Sequence, residues 1–500
     1  MIKALAAVKE WVNTIDEQEK NAGPNVTDFN KFEKSYANVQ KLIDLQAALK
    51  KTQKDQPQQE VVLTENQIIE QFQQWLVSNG CAETFTKVKI VKNLAEGAGL
   101  VAITDIKEGE EFIVVPHKLF MTQETALKSF GDKVAKDRMF MMLPNMPLVI
   151  QLIQEKVAKQ SFWAPYIRML PKTYKTSLYF TLDEYRLLQG SPVLDEAINT
   201  FRNTIRQYCY LYDFLTKNIG IVSTSVFTWE MYVWALSTLM SRQNQIPLTA
   251  PPKGGHGHYH GSQMSLVPFW DLCNHLVSGR ITTFYETDRH ALTCSAVKPF
   301  KAGDQVYIHY GDRNNVQLLL YSGFCLKNNP YDNFKLKLQL DPAEPMMHEK
   351  IHILEERGLS SMGHVFLANA STPAASEPSL PDAVIPFFRV YAMNEKEVEK
   401  FAPNMEQHHH DHSSSLNEPN FQARLLISEQ NEQAAYNSLL AYLKKKLASY
   451  PTTLVEDEQH LAKNPINFVR FTLYIRITEK KVLERYIKLV ESMIQKGVMT

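Results

Sequence analysis

A strand-rich pattern that stops, gives way to a long helical block and then resumes is the feature that most limits how this chain can fold. From about 85 to 122 the residues form short β segments, "KVKIV", "GLVAITDI" and "EEFIVVP", separated by Gly-containing turns. From about 123 to 245 the pattern is helical, with aromatic stretches such as "SFWAPYIRML" and "FRNTIRQYCYLYDFL", and strands return between 264 and 340. Short strands on either side of such a block need each other to bury their faces, so one split β domain carrying a helical insert is expected. The predicted class is α+β.

The flanks differ from this middle. Residues 1 to 60 are polar and helix-prone and end in "KKTQKDQPQQ", whose Pro and Gln content suits a linker. "ENQIIEQFQQWLVSNG" then spaces Ile68, Ile69, Phe72, Trp75 and Leu76 along one helical face, with Asn79-Gly80 as a stop signal. Beyond 345, long helical periods such as "FQARLLISEQNEQAAYNSLLAYLKKKL" predict a separate all-α module, interrupted by "NMEQHHHDHSSSLNEPN". The expected boundaries are a helical extension at 1–60, the split β domain at 61–335 with its insert at about 123–262, and the helical module at 336–500.

Composition excludes several function classes. With 54 basic and 54 acidic residues, no global field calls for nucleic acid or an anionic membrane. The five cysteines, Cys81, Cys209, Cys273, Cys294 and Cys325, contain no CxxC, so neither a disulfide scaffold nor a structural zinc site is expected. Lys9 and Glu10 break the first apolar run, and no segment approaches the roughly 20 apolar residues that span a bilayer. The expectation is a monomeric protein of the cytoplasm, or also the nucleus, that engages neither membrane nor nucleic acid.

Four short motifs carry possible chemistry. "GAGLVA", 97–102, satisfies GxGxxA after a strand, but strand alternation continues where a dinucleotide-binding helix should begin, so a tight turn or a close approach of backbone to a ligand fits better. "GGHGHYHG", 254–261, and "HHHDH", 408–412, hold enough imidazoles to chelate a metal, yet their Gly-, Ser- and Asn-rich surroundings lack a rigid element, and no metal site is expected. Cys273 with His275 in "FWDLCNH", 269–275, lacks an orienting third group and an oxyanion hole, which favours a packed thiol over a nucleophile. In "DQVYIHYG", 304–311, alternation would put Val306, Ile308 and Tyr310 on one face, with Tyr307 and His309 on the other. Tyr310 taken alone suits a core or rim aromatic.

The order of these segments changes that assessment. "GAGLVAITDIKEGEEFIVVP", "FWDLCNH", "KAGDQVYIHYGDRNN" and "YSGF" together resemble the signature of SET-domain methyltransferases. The helical insert and helical C-terminal module are similar to the subgroup of the Rubisco large-subunit lysine methyltransferase, whose C-terminal module helps to bind protein substrate. Within it, "SRQNQIP", "ITTFY", "YIHYG" and "SFWAPYIRMLP" resemble the histidine-modifying branch, which implies monomeric actin as the protein substrate. The resemblance implies S-adenosyl-L-methionine as methyl donor, held by Arg242, Asp271, Leu272, Cys273, Asn274, His275, Ser322, Gly323 and Phe324, with Phe130 contributing. It implies Tyr310 and Asn244 as catalytic groups and Trp270, Gln243, Ile308, Arg206 and Arg313 as substrate contacts.

Three positions depart from the family pattern: Val101 stands where an Arg is frequent, His309 replaces a Phe, and the 254–261 loop has its own length and composition. The nucleophile separates the possible enzymes. A lysine near pKa 10.4 must lose a proton, at roughly 4 to 5 kcal/mol at neutral pH, whereas a histidine near 6.5 is already mostly neutral and needs only its tautomer chosen. A lysine methyltransferase and a non-enzymatic interaction protein are the two alternatives. Asn244 as a mere helix cap and Trp270 as core filler are the structural readings that compete with the site.

Overall fold

The computed structural model describes residues 2–23, 28–52, 63–131, 134, 136–248, 261–341, 343–344, 346–369, 378–401, 426–465 and 467–496. The linker after "KKT" and both histidine-rich loops of the sequence reading lie outside these residues, apart from Gly261. Two compact units divide the chain: one gathers 1–182, 197–313 and 320–323, the other 183–196, 314–319 and 324–500.

The first unit contains the split β domain. Its strands are β1 (Val88–Leu94), β2 (Gly97–Ala102), β3 (Glu111–Pro116), β4 (Met121–Thr122), β5 (Gln243–Pro247), β6 (Ser262–Leu266), β7 (Asn274–His275), β8 (Thr283–Glu286), β9 (Ala291–Ser295) and β10 (Gln305–Ile308). They form three small sheets, in the orders β1-β2-β10-β7, β3-β9-β8 and β4-β6-β5. Each sheet therefore joins strands from before the helical block to strands from after it. In β2 the strand begins at Gly97, whose φ of 104° closes the turn from β1, so the "GAGLVA" segment is strand throughout and the turn lies just ahead of it.

Helices fill the space between β4 and β5. Met146–Val157 is buried along its first eight residues, and Trp229–Arg242 begins on the Thr228 cap, whose side chain accepts from Met231 N. Two N-terminal helices, α1 (Ile2–Ala22) and α2 (Phe29–Thr52), pack as a hairpin with Val8, Val12 and Ile15 buried on one side and Phe32, Val39 and Leu42 on the other. The hairpin docks on the insert through polar as well as apolar groups: Gln46 donates to Tyr208 Oη at 2.7 Å and accepts from Trp229 N at 3.0 Å. α3 (Glu65–Ser78) follows its predicted pattern, starting on a Thr64–Gln67 capping box and burying Phe72 and Leu76.

The second unit is helical, with one difference from an all-α module. A two-stranded antiparallel sheet, β11 (Asn333–Gln339) with β12 (Met362–Ala368), sits among the helices. Phe334, Leu336 and Leu338 turn alternate β11 positions into a core shared with Phe387, Leu439, Leu443 and Tyr486. Among the described residues, no helix is long and apolar enough to cross a membrane.

Candidate active site

The site is built where β7 lies beside β10. These two strands pair in parallel, Tyr307 against Asn274 and Ile308 against His275, so a short segment from before β8 is clasped by the strand that closes the domain. Antiparallel pairing of β10 with β2 (Val306 against Leu100) adds the glycine-bearing strand on its other side. Asn274 Nδ2 then reaches across to donate to Ala98 O at 3.1 Å. A Cβ on Gly99 would stand 2.9 Å from that nitrogen and 2.7 Å from Leu94 Cδ1, so a side chain there would displace the Asn274 amide from its present position.

β10 ends at Ile308, and the alternation expected through 310 ends with it. The rings of His309 and Tyr310 both lie close to that of His275, at centroid separations of 5.5 and 5.0 Å. His275 Nδ1 accepts from Tyr310 N at 3.1 Å, and burial, with His309 nearby, pushes its imidazole down to about 4. Tyr310 Oη donates to Cys273 O at 2.7 Å, which fixes the phenol's direction, and burial holds its pKa above the usual value. Cys273 is fully buried and its thiol is pushed well up, an inert state for a nucleophile.

Arg242 ends the helix Trp229–Arg242 and reaches the 3₁₀ turn Trp270–Leu272. Its Nη1 donates to Asp271 O at 2.9 Å and lies 3.4 Å from Asp271 Oδ2. Tyr166 Oη donates to the same carboxylate oxygen at 2.6 Å. Burial works against the Arg242 charge, but Asp271 and the surrounding tyrosines outweigh it and raise its pKa. Burial raises Asp271 as well, against the opposing pull of Arg242. Arg242 Nε, Asp271 Oδ1 and Gln243 Oε1 are buried without a hydrogen-bond partner. These orphaned polar atoms suit a ligand with charged ends, so Arg242, Asp271 and Gln243 fit an amino-acid-bearing sulfonium nucleotide such as S-adenosylmethionine.

Gln243, and not Asn244, is the residue at the C-cap of the helix; Asn244 lies in β5 opposite Ser265. Its Oδ1 accepts from Gln245 N at 2.9 Å, which settles which end of the amide is oxygen. Trp270 is half-buried and donates its indole N–H to Thr283 Oγ1 at 3.0 Å. Gly323 has φ 78°, and a Cβ there would meet the Lys175 backbone at 2.7 Å. Ser322 precedes it at the end of a π-helical turn, Leu318–Ser322, while Phe324 falls in the other unit with its N–H on Leu318 O.

Other sequence candidates are placed differently. Arg206 is drawn to the N-terminal hairpin, donating to Gly23 O at 2.6 Å, and the structure does not bring it to the Arg242 cluster. Phe130 ends the helix Gln123–Phe130, which packs on β4 and β6. Arg313 is exposed, with Nε 3.5 Å from Tyr310 O. Tyr166 and Thr283 were not singled out from the sequence, although each lies in a quoted stretch, "SFWAPYIRMLP" and "ITTFY". Among the described residues, no group of His, Cys, Asp or Glu is arranged to hold a metal ion.

Comparison with known proteins gives this geometry its context. A family model described as SET domain matches residues 97–311, and one described as Rubisco LSMT substrate-binding matches 341–483. The actin-histidine N-methyltransferase of Mus musculus is 34% identical over 423 residues, covering 83% of this chain and 67% of its own length. That of Xenopus tropicalis is 32% identical over 497 residues, covering 97% of this chain and 80% of its own. Among solved structures, Rubisco LSMT bound to AdoMet superposes with a TM-score of 0.65 at 22% identity over 87% of this chain and 93% of its own. The SET domain of LSMT bound to lysine and AdoHcy gives 0.67 at 21% identity, with the same coverages. At such identities the structural likeness establishes the fold.

Proposed function

The chain belongs to the family of the actin-histidine N-methyltransferases, SET-domain enzymes with a Rubisco LSMT substrate-binding region, and from that premise we propose that it monomethylates a histidine of monomeric actin. It is a protein methyltransferase that uses S-adenosylmethionine. When bound, that molecule supplies an activated methyl on a sulfonium. Asn274, the backbone about His275, and the Arg242–Asp271 pair are the groups that would hold it, with Ser322 and Gly323. Residues 61–335 carry the chemistry in this reading, 336–500 bind the protein substrate, and 1–60 are an extension. The working form is a monomer in the cytoplasm, or also the nucleus, bound to actin only as substrate.

One observation carries the histidine reading. The Arg242–Asp271 contact ties together the segments that bear Asn244, two positions after Arg242, and Trp270, one position before Asp271. A neutral imidazole needs no proton removed before it attacks; it must present a lone pair on the correct nitrogen. Asn244 Oδ1 has a second lone pair beyond the one used by Gln245 N, and this can accept the N–H of one ring nitrogen so that the other faces the methyl. Trp270 offers an aromatic face for stacking, while Gln243 and Ile308 shape the pocket. Holding the ring in that pose is the main catalytic demand, since alignment supplies much of the rate.

The test is a switch of nucleophile. Asn244→Phe with Trp270→Ala removes the tautomer selector and opens room for an alkyl amine, so the double variant should lose histidine activity and gain activity on a lysine placed at the same peptide position. Full retention of histidine methylation with no gain on lysine contradicts the pocket.

A further inference from the structure

Trp270 leaves the backbone under unusual constraint. Phe269, fully buried and in contact with Phe85 at 5.0 Å between centroids, holds φ 73° and ψ −50°, a γ-turn-like positive-φ conformation that a bulky side chain adopts only when its surroundings impose it. The next residue starts a 3₁₀ turn, so the direction in which Trp270 emerges is set by that strained neighbour. The far end of the indole is set independently. Its Nε1 donates to Thr283 Oγ1 at 3.0 Å, and Thr283 Oγ1 in turn lies 3.4 Å from the buried Cys294 Sγ, its partner across β8 and β9. With its own hydrogen directed to the sulfur, the Thr283 hydroxyl presents lone pairs to the indole, and a flip of the ring by half a turn would forfeit that bond.

We propose that Thr283 is a positioning residue for methyl transfer: it locks the indole of Trp270 in the one orientation that presents its face to the target imidazole. The inference rests on the reading of Trp270 as the stacking residue and adds what keeps it in place. In this role Thr283 acts through the indole it anchors. An indole freed from it would visit other rotamers, and each one empties the stacking site, so the loss should appear in productive binding of the protein substrate and not in binding of the methyl donor.

Full-length protein, S-adenosylmethionine and purified monomeric actin suffice for the test. Thr283→Val keeps the shape and removes the acceptor; it should lower kcat/KM for actin about tenfold, mainly through KM, with the S-adenosylmethionine dissociation constant unchanged by calorimetry. Thr283→Ser restores the acceptor and should recover most of the loss, and Thr283→Ala, which shortens the side chain, should repeat it. In a Trp270→Ala background, Thr283→Val should have no further effect. Wild-type kinetics in both Thr283→Val and Thr283→Ala, with Trp270→Ala impaired, would overturn the positioning role alone. Unimpaired Trp270→Ala would sink the stacking reading beneath it, and an undiminished Thr283→Val effect in that background would show that Thr283 acts elsewhere.

Discussion

Single residues in this site are chosen for where they put protons. Asn244 is oriented by a backbone N–H, Tyr310 by a backbone carbonyl, and His275 is kept neutral by burial and by His309. His275 also makes a prediction about stability. Its folded pKa of about 4 lies below the ordinary value of 6.5, so the neutral form is favoured by folding and its contribution is complete above about 6.5. As pH falls from 6.5 towards 4 the unfolded chain takes up a proton that the folded one refuses, and stability is lost. Thermal melts across this range should show a steeper acid-side decline in the wild type than in His275→Asn; parallel curves would contradict it. Legibility at this scale followed sequence distance. Arg242, Asn274 and Tyr310 stood in recognisable motifs, whereas Tyr166 acts through Asp271, 105 positions away, and Thr283 through Trp270, 13 away, pairings that no local pattern announces.

Elements were legible where periodicity governed them. Short β-branched runs between Gly-containing turns exposed β1, β2 and β3, although β2 is buried on both faces over its last four residues, and the 3.6-residue period exposed α3, which buries one face. β7 is only two residues long and exists because β10 clasps it, and β12 is half-buried with only Leu367 fully covered, so neither carried a signal of its own. The N-terminal hairpin was legible as helix but not as a docked element. Glu19 of α1 forms a buried ion pair with Arg202 of the insert, Nη2 to Oε2 at 3.0 Å, with side chains 3% and 2% exposed. Glu19→Ala removes the carboxylate that Arg202, Arg206 and Ser35 share, and removing one partner of a buried ion pair costs about 3 kcal/mol. Denaturant unfolding should record that loss, while a loss under about 1 kcal/mol would mean that the hairpin contributes little to this unit.

At the scale of the molecule, the second unit carries its own pH signature. Glu479, fully buried on the helix Asn467–Gln495, accepts from Ser191 and Tyr450 at 2.9 and 2.8 Å, and burial pushes its pKa up to about 8. A raised folded pKa favours the neutral acid, so its contribution is complete below about 4.5 and is lost as pH rises through 8. Glu479→Gln mimics the neutral acid and should gain stability over the wild type progressively from pH 5 to 8, as read by thermal melts; a deficit that grows over that range would contradict this assignment. Neither that buried acid nor the assembly of 183–196 and 314–319 with the C-terminal residues could be seen in the linear pattern, which placed the start of the helical module at 336.

The central claim is that this enzyme methylates a histidine, and its most direct test is mass spectrometry of monomeric actin after incubation with the full-length protein and S-adenosylmethionine. The expected result is one methyl on one histidine, lost with Asn244→Ala and reduced about a hundredfold in Tyr310→Phe, a loss of about 2.7 kcal/mol of transition-state stabilisation. Unmodified actin, or a methyl on lysine in its place, would contradict it.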